Sequence, residues 1–162
     1  MDASEAILER WIVETAESYP RHAAALLTKE QDPFRNPVGA TLRRSLARLL
    51  CELSGEMDAT AIDSALDPIL RLQVVQGFSP DDAVRFVFLL KPILRELAAE
   101  RNSAVLDRKI GDGRIDGGRI DRLAAMAADK YTQCREQLAR IRANEIQRAS
   151  QTLQLIRARR PA

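Results

Sequence analysis

Apolar positions in the stretch from Gly77 to Leu97 recur at helical spacing, behind a start signal that is unusually complete. Ser79 is placed to accept from free backbone N–H groups, Pro80 fits the first helical position, and Asp82 closes a Ser-x-x-Asp box. Ala83, Phe86, Val87, Leu90, Ile93, Leu94 and Leu97 then form a stripe that Val84 and Phe88 widen. A helix this apolar needs several others around it, so the pattern predicts the central helix of a bundle. Pro92 removes one ladder donor and crowds the carbonyl of Phe88, which predicts a kink at that point.

The same reading extends to the rest of the chain. Ile7, Leu8, Trp11, Ile12 and Thr15 predict a first helix over residues 3–18, with Glu5, Glu9, Glu14 and Glu17 on its other side. Pro20 opens a short helix to Leu27, and Lys29 to Arg35 reads as a linker whose Phe34 is expected in the core. Asn36 and Pro37 start a helix carried by Val38, Leu42, Leu46, Leu49, Leu50 and Leu53 to Gly55, in which Gly39 is expected to let another backbone approach. Asp58 caps the next segment, where Asp67-Pro68 predicts two short helices or one broken one.

Residues 101–118 are polar and glycine-rich and read as a flexible linker, whereas 119–160 read as one long helix. Ile120, Leu123, Ala124, Ala127, Tyr131, Cys134, Leu138 and Ile141 keep a seven-residue rhythm there. The rhythm then slips at Asn144 and Glu145 to a displaced stripe of Ile146, Ala149, Leu153 and Ile156. The expected fold is all-α: one domain over 1–162, a bundle of roughly six helices with a helical core in 1–100 and a long C-terminal helix. A globin-like packing is one arrangement that fits.

Composition narrows the chemistry. At 46% hydrophobic and 4% aromatic residues, a core of Leu, Ile, Val and Ala favours helices over sheets. A net charge of +2 gives no global reason to bind nucleic acid, although Arg135, Arg140, Arg142, Arg148, Arg157, Arg159 and Arg160 make the last helix basic. Cys51 and Cys134 are far apart and His22 is the sole histidine, so neither a zinc site nor a disulfide framework is suggested. The start lacks a signal peptide's basic and apolar regions and no apolar run reaches membrane-span length, which points to a cytoplasmic protein without membrane insertion. Asp112 to Gly117 has an EF-hand outline, but Arg114 and Leu123 stand where oxygen ligands belong. No hydrolase elbow or phosphate loop is present. Only His22 offers an axial ligand for haem, and Cys134 falls at a buried phase. No catalytic residue, metal or cofactor is expected from these patterns.

Phe34-x-Asn36-Pro37-Val38-Gly39-x-Thr41, then Leu66-Asp67-x-Ile69-x-Arg71-x-x-x-Val75-Gln76-x-Phe78-Ser79-Pro80, and Phe86-x-Phe88-Leu89-Leu90-Lys91 together resemble the RsbRD N-terminal domain family. Ile120-Asp121-Arg122-Leu123 and the run from Cys134 to Glu145 are similar to its stand-alone members, found near genes of dissimilatory sulfite reduction. The resemblance implies a sensory or protein-interaction module; the namesakes precede a STAS domain in co-antagonists of the RsbT kinase within the stressosome. Nothing after Arg119 reads as a STAS segment, and Pro92 and the glycine-rich stretch interrupt what the resemblance implies is continuous helix.

The expected function is therefore non-enzymatic regulation through a protein partner, regulatory or redox. A haem- or small-ligand-binding sensor is the alternative, and a nucleic-acid-binding regulator using the basic last helix a second one. Arg71, Gln76 and Lys91 are polar residues within apolar, family-like runs and are candidate partner or ligand residues, with structural roles favoured. The last helix is too long for a compact domain, at ~1.5 Å per residue, so a homodimer registered by Asn144 and Glu145 is expected over a tail that bends back near Asn144.

Overall fold

The computed structural model describes residues 3–20, 24, 32, 34–100 and 115–159. Along them run α1 (Ala3–Glu17), α2 (Pro37–Ser54), α3 (Ala59–Val75), α4 (Pro80–Phe88), α5 (Leu90–Glu100) and α6 (Gly117–Ala158), with no strand among the described residues. Only Leu89 separates α4 from α5, so the fold is effectively five rods. The break falls where Pro92 leaves the carbonyl of Phe88 without a ladder donor, as the sequence predicts. Of the short helix expected over 20–27 only Pro20 and Ala24 are described, with Ala24 N donating to Pro20 O at 2.9 Å; His22 and the linker residues 101–114 lie outside the described residues.

Local caps set the element starts. Asn36 Oδ1 accepts from Gly39 N at 2.8 Å, Asp58 Oδ1 from Ala61 N at 2.7 Å, and Ser79 Oγ from Asp82 N at 3.2 Å. Asp116 caps α6 by accepting from Arg119 N at 2.8 Å, so Gly117 and Gly118 belong to the helix and not to the preceding connection. A Schellman turn ends α3: Phe78 N donates to Gln73 O, Gly77 N donates to Val74 O, and Gly77 takes φ +77°. Pro68 does not break α3, because the carbonyl it deprives belongs to exposed Ser64 and water can serve it.

Two expectations are corrected. Phe34 is 97% exposed, because the turn in which Arg35 N and Asn36 N both donate to Asp32 O carries its side chain outward. Gly39 makes room for its own cap and not for another backbone: a Cβ there would stand 2.1 Å from Asn36 Nδ2.

One core joins all six segments. α3 packs between α2 and α6, α4 packs on α6, and α1 crosses α2 and α5. Trp11, Leu46, Leu49, Leu53, Ile62, Leu66, Leu70, Val87, Leu90 and Ile93 are fully buried in it. Trp11 Nε1 donates to Phe86 O at 2.7 Å, which satisfies its one polar atom while its ring stacks on Phe86 at 6.2 Å. Arg119 Nη1 donates to Leu53 O and Gly55 O, so the first turn of α6 caps the C-terminal end of α2.

Gly39→Ala is expected to eject the Asn36 side chain and to cost about 1–2 kcal/mol, the worth of an N-cap. Thermal melts of Gly39→Ala, Asn36→Ala and the double variant test this. The double should be little worse than either single, whereas additive losses would show that Gly39 serves something other than the cap.

Candidate functional site

The packed and unpacked halves of α6 differ sharply. Ile120, Leu123, Ala124, Ala127, Tyr131 and Cys134 are buried, Leu138 is half-buried, and every residue from Ala139 to Arg159 is exposed. At ~1.5 Å per residue the exposed part extends about 30 Å. It stays helical through Asn144 and Glu145, both exposed, so the tail does not bend back onto its bundle there. Ile146 is 72% exposed, Leu153 56% and Ile156 57%, in a chain whose other large apolar residues are mostly buried.

A notch of about 380 Å³ forms where α6 leaves the bundle. The turn between α3 and α4 supplies one wall through Val74, Gly77, Phe78 and Pro80. On the α6 side stand Tyr131, Arg135, Leu138 and Arg142. Tyr131 Oη donates to Phe78 O at 2.8 Å, fixing the turn against the helix. Neither notch arginine is ion-paired within the described residues. The notch holds hydrogen-bond donors and apolar walls, and its Ser79 hydroxyl, which donates to Asp82 Oδ2 at 2.9 Å and accepts from Asp82 N, is engaged in capping α4.

The residues singled out from sequence do not converge on one place. Arg71 Nε pairs with Asp67 Oδ2 at 2.6 Å along α3, and Lys91 Nζ pairs with Asp121 Oδ1 at 2.6 Å, tying α5 to α6. Gln76 is the exposed C-cap of α3. Asn144 and Glu145 lie on the projecting part of α6, away from the packed bundle. His22, on which a haem reading would depend, is outside the described residues. Among the described residues no group of three or more His, Cys, Asp or Glu is placed to hold a metal.

Lys130 is the hub that sequence reasoning missed. Its Nζ reaches Asp63 Oδ2 at 2.9 Å and Asp67 Oδ1 at 3.0 Å, with the side chain only 12% exposed. Burial alone pushes the Asp67 carboxyl up, but hydrogen bonds and charge from Arg71 and Lys130 outweigh it and hold it below its ordinary value. Burial pulls Lys130 down in turn, and its two carboxylates more than restore it. Cys134, beside this network, has its thiol pushed up by burial and by the Asp67 charge, which keeps it protonated and unreactive.

A second missed feature is polar and deep. Thr15 Oγ1, Tyr19 Oη and both amide atoms of Gln73 are buried without a hydrogen-bond partner. Burial pushes the Tyr19 phenol up to about 12; Gln73 is close enough to offset part of this, yet its amide does not reach the hydroxyl in hydrogen-bond geometry. The phenol is therefore a fixed neutral group at neutral pH. Gln73 was detectable: it continues the stripe of Ile62, Leu66, Ile69 and Leu70.

The family model described as the RsbT co-antagonist protein RsbRD N-terminal domain matches residues 5–146. The chain belongs to that family. The matched span covers the notch arginines and stops at Ile146, within the exposed part of α6. No curated protein and no solved structure matches the chain. Among the described residues of this RsbRD N-terminal domain, no helix is long and apolar enough to cross a membrane.

For Asp67, a folded pKa below the unfolded one means that pairing stabilises the fold above the ordinary carboxyl value of 3.8 and that this contribution is lost as pH falls through it. Asp67→Asn should cost about 1 kcal/mol at pH 7 and flatten the fall in stability between about pH 5 and 3. Urea melts across that range check it, and an unchanged acid limb would count against the pairing.

Proposed function

We propose that this RsbRD N-terminal domain is a non-enzymatic regulatory module that works by holding a protein partner along the projecting part of α6. The observation that carries the reading is the row of exposed Ile146, Leu153 and Ile156 on a helix whose first half is firmly packed. Burying such a row is worth about 25 cal/mol per Å² of apolar area, a gain the bundle itself leaves unused. Family membership supports the regulatory role, and the sulfite-reduction setting of similar stand-alone members makes a redox or regulatory protein the first partner class to test. A homodimer is the other occupant of the same surface. Duplex nucleic acid fits less well, since the arginines of α6 are interleaved along the sequence with apolar residues and lack stacking aromatics.

A second reading rests on the orphaned Thr15, Tyr19 and Gln73 groups. Buried polar atoms without partners cost about 1–3 kcal/mol each, and a small neutral ligand or water beside them would recover that cost. This is the small-ligand sensor in a form that needs no haem.

Removing residues 143–162 should leave the melting temperature nearly unchanged, because none of the described residues removed is buried. Retention of partners from extracts of the native organism, identified by mass spectrometry, should be lost with the same deletion. Equal retention by both chains, or substrate turnover far above background, would overturn the proposal. For the second reading, Gln73→Met should raise stability by about 1–2 kcal/mol in the purified protein. A loss of stability would mean that the amide already has a bound partner.

A further inference from the structure

We infer that the partner of α6 is an acidic amphipathic helix of a different protein, seated with its carboxylates in the notch and its apolar face on the stripe. The inference rests on the proposed use of the projecting helix and adds the chemistry of what occupies it. Arg135, Ala139, Arg142, Ile146, Ala149, Leu153 and Ile156 follow one another at alternating spacings of three and four, so they form a single seam along one side of α6. The seam starts with two unpaired arginines between apolar walls and continues as bare aliphatic surface. A complementary segment therefore has negative charge at the end that enters the notch and aliphatic residues beyond it.

Charge separates this occupant from the alternatives. Residues 139–159 carry five arginines against one glutamate, Glu145, a net charge of +4. A parallel second copy would set Arg135 and Arg142 on their own images. An antiparallel one would press them against Leu153 and Ile156, with Glu145 as the sole carboxylate of either tail. A phosphate backbone would meet the arginines but leave Ile146, Leu153 and Ile156 in water. An acidic helix satisfies both halves of the seam, and Arg guanidinium groups bind carboxylates bidentately in such a setting.

The test uses the full chain and a labelled synthetic helical peptide of about 21 residues, long enough to match the ~30 Å exposed helix. It carries leucine at heptad positions a and d and glutamate at the flanking positions; a second peptide has glutamine in place of every glutamate. Fluorescence anisotropy should show binding of the acidic peptide, weakened about tenfold or more by raised salt and by Arg142→Gln or Arg135→Gln, and abolished by Leu153→Ser with Ile156→Ser. Those side chains are exposed or sit at the notch rim, so unchanged melts of the variants exclude misfolding. Arg140, on the opposite side of the helix, is the control: Arg140→Gln should change the affinity less than about twofold.

Equal binding of the glutamine peptide, or an equal loss with Arg140→Gln, would overturn the acidic-helix assignment. Preference for duplex DNA over the peptide would overturn it in favour of nucleic acid. A dimeric mass by light scattering that Leu153→Ser with Ile156→Ser reduces to monomer would assign the seam to a second copy, sinking this inference while keeping protein docking on α6. If the peptide, the DNA and the second copy all leave the seam empty, the docking role of α6 falls as well.

Discussion

The attachment of the first half of α6 to α3 and α4 is the constraint on which the rest of the molecule depends. Lys130, held between Asp63 and Asp67, and Tyr131, bonded to the carbonyl of Phe78, fix the helix at two neighbouring points. Apolar burial from Ile120 to Cys134 supplies the bulk of the attraction, while these polar contacts select one rotation and one register of the helix on the bundle. With that rotation set, which side of the exposed continuation faces the α3–α4 turn is also set. Arg135, Leu138 and Arg142 line the notch for this reason.

Much of the architecture was readable because its signals are local. Asn36, Asp58 and Ser79 each sit immediately before an apolar stripe, and their caps depend on three or four consecutive residues. The Asp116 cap was masked by the two glycines behind it, which argue for a turn when read alone. Phe34 was misplaced because size and apolarity say nothing about the direction in which a turn points a side chain. Gly39 looked like a contact point between elements, yet what crowds it is a residue three positions away.

The site was legible in one respect and hidden in another. A helix of 42 residues outruns a small bundle whatever its packing, so an uncovered end followed from length alone. The notch joins residues 74–80 to residues 131–142, and no local pattern connects segments so far apart in sequence. Lys130 shows the same difficulty, since its two carboxylates lie on another helix. Arg71, Gln76 and Lys91 drew notice as polar residues in apolar runs, but two proved to be ion-paired at the surface and one a helix terminus. The odd residue of that region was Gln73, a polar side chain on the buried stripe of α3 that the stripe itself could have revealed.

The Tyr131–Phe78 hydrogen bond lies at the base of a stiff rod, and this gives the α3–α4 turn mechanical leverage. A rotation of about 5° at that base would carry the tip of a ~30 Å helix through nearly 3 Å, since rigid helices transmit angle without loss. Gln73, whose carbonyl accepts the bond from Phe78 that closes the turn, also has its side chain beside the Tyr19 hydroxyl. Any event that draws its amide toward Tyr19 would pull on the fulcrum, and a displacement of a few tenths of an ångström in the interior would be read out as a change of aim far from where it began.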